Sequence, residues 1–173
     1  MSISLPKRLV GLAGWSGSGK TTLVVKLIPI LIARGLTVST IKHAHHAFDI
    51  DRPGKDSWLH REAGASEVLV ASANRFALIH ELRGAPEPSL EELLSRLAPV
   101  DIVVVEGFRH GAHPKIEVFR SDLGKPPLHP SDPMILAVAA PLPIDGLTLP
   151  WLNLDDPEAI ADFVLASEPF AIE

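Results

Sequence analysis

The sequence predicts an α/β protein, a three-layer sandwich with a mostly parallel sheet, formed as one domain over residues 1–173. Three observations carry that expectation. A glycine-rich phosphate-binding motif sits between an apolar strand and an apolar helix within 8–34. A second strand at 101–106, with four consecutive aliphatics, ends on a carboxylate, and short apolar runs alternate with helical patterns through the rest of the chain.

The motif is Gly14-Trp-Ser-Gly-Ser-Gly-Lys20-Thr21-Thr22, with Gly14, Gly19, Lys20 and Thr21 at the fixed positions of a phosphate loop (P-loop). Backbone N–H groups can wrap a phosphate only where no side chain intervenes, which Gly14, Gly17 and Gly19 allow. The helix that opens here adds its free N–H groups and the positive end of its dipole. The expected nucleotide-binding residues are therefore Gly14, Ser16, Gly17, Ser18, Gly19, Lys20, Thr21 and Thr22. Lys20 would reach the β- and γ-phosphates, as a catalytic cation, and the Thr21 hydroxyl would be a Mg²⁺ ligand. A Gly/Ser linker is excluded because apolar elements flank both sides. The fold expected is thus that of a P-loop NTPase.

Taken in order, residues 8–14 read as a buried strand and 22–34 as a helix closed by Gly35. That helix is apolar nearly all round apart from Lys26, a pattern that predicts cover by other elements, and Pro29 should kink it. A β-branched strand follows at 37–42. Residues 43–57 then hold His43, His45, His46, Asp49, Asp51, Arg52, Lys55 and Asp56 around a Pro53-Gly54 turn, with no periodicity. A polar segment of that length after a strand reads as a functional loop. A short helix at 57–63 ends at Gly64.

Runs 67–71 and 75–80 predict an antiparallel hairpin, placed beside the parallel core. Ser89 with Glu92 forms a capping-box pattern that opens a helix over 90–97. In 101–106, Glu106 stands at the end of the strand, where phosphate-loop proteins place a Mg²⁺-holding carboxylate, and is the second expected catalytic residue. Asp101 stands at the wrong end and is expected to cap or bridge a turn. Residues 114–120 alternate like a half-exposed strand, and 122–133 form a proline-rich loop. Strands at 134–139 and 151–154 precede a helix capped by Asp156, with Pro157 in its first turn and Ile160, Phe163 and Val164 on its apolar face.

Composition limits the function. With 46% hydrophobic and 21% charged residues the chain is globular, and a net charge of −5 argues against a nucleic-acid partner. No cysteine is present, so disulfides and thiolate metal sites are excluded. No apolar run approaches the ~20 residues of a membrane span. Gly11, Gly14 and Lys20 interrupt any signal-peptide core, so the expected location is cytoplasmic and no membrane partner is expected.

Several segments occur together in one order. They are 14–23 with the phosphate loop, Ile-Lys-His at 41–43, His-His-Ala-Phe-Asp at 45–49 and Pro-Gly-Lys-Asp-Ser at 53–57. His-Arg-Glu-Ala-Gly-Ala at 60–65, Val-Glu-Gly-Phe-Arg at 105–109 and Pro-Lys-Ile-Glu-Val at 114–118 complete the set. Across roughly residues 8–165 the chain resembles the molybdopterin-guanine dinucleotide biosynthesis protein B (MobB) family. The resemblance implies a dimeric GTP-binding protein with weak GTPase activity. It also implies an accessory role to the guanylyltransferase that attaches GMP to molybdopterin, giving the guanine dinucleotide form of the molybdenum cofactor. By the match, Gly14, Gly17, Gly19, Lys20 and Thr21 hold phosphate, and Thr21 and Glu106 hold Mg²⁺. His43, Arg52, Lys55 and Asp56 are the residues expected to contact the pterin or the partner transferase. The chain departs from the family at Ala139-Ala140-Pro141, where an acidic residue is often found.

Three other readings use the same residues. A small-molecule kinase would need an arginine-bearing lid, whereas Arg52, Arg61, Arg75 and Arg109 are scattered. A metal-insertion GTPase would use His43, His45 and His46, against the plainer reading of a polar loop that meets an anionic ligand or a partner. A nucleotide-switched docking module is the third. Neither Asn-Lys-x-Asp nor Thr-Lys-x-Asp occurs, so weak base selectivity is expected. The chain has no glutamine to position an attacking water, and Arg109 is the arginine nearest in sequence to Glu106-Gly107.

Overall fold

The computed structural model describes residues 6–44 and 48–167. Its elements are β1 (Arg8–Ala13), α1 (Lys20–Ala33), β2 (Val38–Lys42), α2 (Asp56–Glu62), β3 (Glu67–Ala71), β4 (Phe76–His80) and α3 (Leu90–Arg96). They continue with β5 (Ile102–Glu106), β6 (Lys115–Val118), β7 (Ile135–Ala140), β8 (Trp151–Asn153) and α4 (Pro157–Ala166). Two compact units result, Met1–His43 with Leu90–Glu173, and Ala44–Ser89.

The larger unit is the expected three-layer α/β sandwich. Its six-stranded sheet has the order β2-β5-β1-β6-β7-β8, and every neighbouring pair runs parallel. Side chains alternate across β5, so Ile102 and Val104 join one core while Val103 and Val105 join the other. On the first face Leu23, Leu27 and Leu31 of α1 pack with Ile160, Ala161 and Val164 of α4. On the second, Leu90 and Leu94 of α3 cover Leu9 and Ile41. Burial on both faces is the physical reason β5 reads as an unbroken aliphatic run. Asp101, expected to cap or bridge a turn, instead ties the start of β5 to the residues just before β2 and β1. It accepts from the Thr37 N–H at 2.9 Å and hydroxyl at 2.7 Å and from Lys7 at 2.7 Å. Those bonds, that from Lys7 first, hold its carboxyl well below the usual range.

The expected hairpin forms as β3 and β4, a two-stranded antiparallel sheet in the smaller unit, while the six-stranded sheet is wholly parallel. Two expectations are corrected. α1 is covered on one side only: Val25 is 65% exposed and Ile32 56%, with Pro29 on the same exposed side. A proline there costs a hydrogen bond without disturbing the core.

The second correction concerns β6, which is buried throughout. Its alternating Lys115 and Glu117 suggested a wet face, yet they are 1% and 0% exposed. Lys115 pairs with Asp132 at 2.9 Å. Glu117 accepts from the N–H groups of Leu128 at 2.7 Å and His129 at 2.9 Å, and lies 2.8 Å from His129 Nδ1. The strand lies between β1 and β7, and the proline-rich loop folds back over it to supply these partners. Buried charge of this kind survives only where it is paired and hydrogen-bonded.

The smaller unit is tied together by Arg61. Its guanidinium meets Asp49 at 2.8 and 3.1 Å, Glu81 at 3.3 Å and Asp51 at 3.6 Å. Arg83 donates to the carbonyls of Arg61 and Ala65 at 2.7 and 3.0 Å. The hydrogen bond to Arg61 lowers the Asp49 pKa. Two of the three aspartates in the 43–57 stretch are therefore used within the fold.

Candidate functional site

The phosphate loop connects β1 to α1 at the carboxyl edge of the parallel sheet, the edge where ligands of such sheets lie. Gly14, Gly17 and Gly19 have φ of 143°, 81° and 102°, a region that favours glycine. At Gly14 space also forbids a side chain, because a Cβ would lie 2.5 Å from the Val118 carbonyl oxygen. Gly19 precedes α1 without a side-chain cap, and the first turn of that helix has no acidic residue. Its leading N–H groups thus have no competing carboxylate from their own turn.

Lys20 folds across this loop, its Nζ donating to the carbonyls of Gly14 at 2.8 Å and Trp15 at 2.9 Å. Burial lowers its pKa, Glu106 opposes that shift and Lys42 adds to it. The Thr21 hydroxyl donates to Glu106 Oε1 at 2.7 Å, and Lys42 Nζ stands 3.5 Å from the same oxygen. The hydroxyl and carboxylate expected at Mg²⁺ are therefore in direct contact. A hard cation with few protein ligands, completed by phosphate oxygens and water, fits this pair. Elsewhere among the described residues no group of three His, Asp or Glu side chains could hold a metal ion.

Not every loop residue faces outward. Ser16, Gly17, Thr21 and Thr22 are exposed, whereas Ser18 is 1% exposed. The Ser18 N–H donates to the Trp15 carbonyl at 3.1 Å, so this residue braces the loop from within. Trp15 carries the guanidinium of Arg109 at 4.7 Å and the ammonium of Lys125 at 5.6 Å from its ring, and its Nε1 donates to the Pro126 carbonyl at 2.8 Å. The proline-rich loop thereby becomes a wall beside the phosphate loop.

His43, Arg52, Lys55 and Asp56 do not form one cluster within a single unit. His43 directly follows β2 in the larger unit, where its N–H donates to the Glu106 carbonyl at 2.8 Å and its ring lies 4.9 Å from that of Phe108. Its Cβ lies where a side chain on Gly107 would go, at 2.6 Å, so the Glu106-Gly107 step requires glycine. Gly107 and Phe108 both have positive φ, 101° and 48°, placing a sharp turn directly after the carboxylate. Arg52, Lys55 and Asp56 are exposed in the smaller unit, the first two bracketing a turn closed by Lys55 N–H to Arg52 O at 3.1 Å. His45 and His46 lie outside the described residues.

One residue at the loop was not found from sequence. Arg120, just beyond β6, donates its Nε to the Ser18 carbonyl at 3.2 Å. Nothing in its spacing from the motif signals this, because the contact depends on β6 lying next to β1.

Comparison with known proteins agrees with this geometry. Residues 9–141 match the sequence model of molybdopterin guanine dinucleotide synthesis protein B. The chain is 44% identical over 160 residues to the molybdopterin-guanine dinucleotide biosynthesis adapter protein of Escherichia coli K12, covering 91% of each chain. It is also 44% identical over 159 residues to the adapter protein of that name from Haemophilus influenzae, covering 90% of this chain and 86% of the relative. A crystal structure of molybdopterin-guanine biosynthesis protein B superposes with a TM-score of 0.71 at 30% identity, over 91% of this chain and 98% of the other. The phosphate loop, the carboxylate that ends β5 and these likenesses together show that the chain belongs to the molybdopterin guanine dinucleotide synthesis protein B family.

Proposed function

We propose that this chain is a GTP-binding accessory protein of molybdenum cofactor synthesis. It assists the guanylyltransferase that attaches GMP to molybdopterin, and hydrolyses GTP weakly. The observation that carries the nucleotide part is the 2.7 Å contact between Thr21 and Glu106 beside Lys20, in a loop built from positive-φ glycines. Thr21 and Glu106 would hold Mg²⁺, which would supply positive charge to the GTP phosphate oxygens. Lys20 would neutralise the phosphate chain, and the likeness to molybdopterin-guanine dinucleotide biosynthesis adapter proteins supports the pathway. In this reading the protein works in the cytoplasm, and exposed Arg52 and Lys55 are offered to the pterin phosphate or the transferase.

The test is a GTP titration with and without Mg²⁺. Glu106→Gln keeps an acceptor for Thr21 but removes the charge. It should weaken Mg²⁺-dependent binding roughly tenfold while leaving Mg²⁺-free binding near parent level, the cost of one charge-assisted ligand. An equal fall in both would assign Glu106 to the fold.

A homodimer is part of the same proposal. On the hairpin, Leu69 faces Leu78 and Ala71 faces Phe76, and Leu69, Leu78 and Phe76 are 60%, 45% and 72% exposed. A two-stranded sheet is marginal without cover, and an apolar face of this kind marks an interaction surface. A second copy of the hairpin would supply that cover. Sedimentation should give a dimer for the parent and a monomer for the Leu78→Lys variant, whereas an unchanged mass would remove the hairpin as the interface.

A further inference from the structure

Arg120 stands out among the basic side chains at the phosphate loop. β6 pairs with β1 through Gly11–Lys115, Leu12–Ile116 and Ala13–Glu117, so both strands leave the sheet at the same edge. The chain after β6 therefore passes the phosphate loop, and Arg120 is the second residue beyond that strand. Its Nε bonds to the Ser18 carbonyl at 3.2 Å, and its Nε and Nη2 lie 3.8 and 4.0 Å from where a Gly19 Cβ would be. A guanidinium has five N–H donors. Among the described residues only the Nε–H of Arg120 has a protein acceptor, and no carboxylate pairs with the group. Arg109, the arginine nearest Glu106 in sequence, is instead stacked on Trp15.

Position in the sheet gives the rest. β5 and β6 lie on opposite sides of β1, so Glu106 flanks the phosphate loop from one side and Arg120 from the other. We propose that Arg120 is a second phosphate-binding cation, pinned to the loop through Nε and holding the phosphate chain with its Nη groups from the side away from the metal. This rests on the phosphate-loop reading and deepens it. A fixed, planar fork suits phosphate oxygens better than a flexible ammonium does. Because it stands opposite Glu106, Arg120 contributes whether or not Mg²⁺ is bound.

The test uses inorganic tripolyphosphate, which has no base or sugar, alongside GTP. Arg120→Gln keeps an amide donor for the Ser18 carbonyl but removes the charge. It should weaken tripolyphosphate and GTP by the same factor, roughly ten- to hundredfold, with and without Mg²⁺. Arg120→Lys should recover part of that loss. A fall for GTP alone would assign Arg120 to base or ribose, and no fall for either would leave it without a ligand role. A loss that tracks a lowered melting temperature and that Arg120→Lys does not recover would make it a brace of the loop. Each of these three results overturns the proposal. Failure of the parent to bind either probe would instead overturn the phosphate-loop reading, and this inference with it.

Discussion

Glu117→Ala should destabilise the protein by about 3–5 kcal/mol, the effect of breaking a buried charged network from one side. Glu117 is fully buried and receives the Leu128 and His129 N–H groups, with His129 Nδ1 at 2.8 Å. Alanine would leave two backbone donors without an acceptor and an imidazole without its carboxylate, in a space that admits no water freely. The proline-rich loop would keep the Lys115–Asp132 pair but lose its ties to Glu117, which weakens the support that Pro126 gives Trp15. Urea denaturation followed by circular dichroism would read the shift in midpoint. GTP affinity should fall as well, because the loop walls the phosphate site. A variant as stable as the parent would mean that the Lys115–Asp132 pair and the packing of Leu128 and Ile135 with Ala13 and Trp15 hold the loop without Glu117.

How much of this was legible follows from where each interaction originates. The strand–loop–helix at 8–34 was readable because its glycines, Lys20 and Thr21 are adjacent in sequence and each type answers one chemical need. Glu106 was readable because four aliphatic residues can precede a carboxylate in a buried strand for few other reasons. The nature of β6 was not, since periodicity registers polarity but not whether a distant loop returns to neutralise it. In the sequence, Gly11 reads only as an interruption of a signal-peptide core. In the fold a Cβ there would lie 2.4 Å from the ring of His113, which is 1% exposed and also packs on Gly111. Burial, aided by the charge of Lys115, pushes that imidazole down to about 4. Arg120 was missed for the same reason as His113: strand order, absent from local pattern, brings each to its neighbours.

Lys20→Ala should separate binding from folding in the way Glu117→Ala cannot. Lys20 Nζ bonds only to the carbonyls of Gly14 and Trp15 among the described residues, and both lie in a part-buried loop that solvent reaches. Water can replace those bonds, so the melting temperature without ligand should change little. The nucleotide would lose a charge-assisted contact of roughly 1.5–3 kcal/mol, a fall of about ten- to a hundredfold in GTP affinity. Saturating ligand stabilises a fold in proportion to the logarithm of its concentration over Kd. The rise in melting temperature that GTP with Mg²⁺ gives the parent should therefore shrink sharply in the variant at equal ligand concentration. Isothermal titration and thermal shift together read both quantities. Parent-level affinity in Lys20→Ala would remove the phosphate-loop assignment, since no other ammonium among the described residues reaches the Gly14 and Trp15 carbonyls.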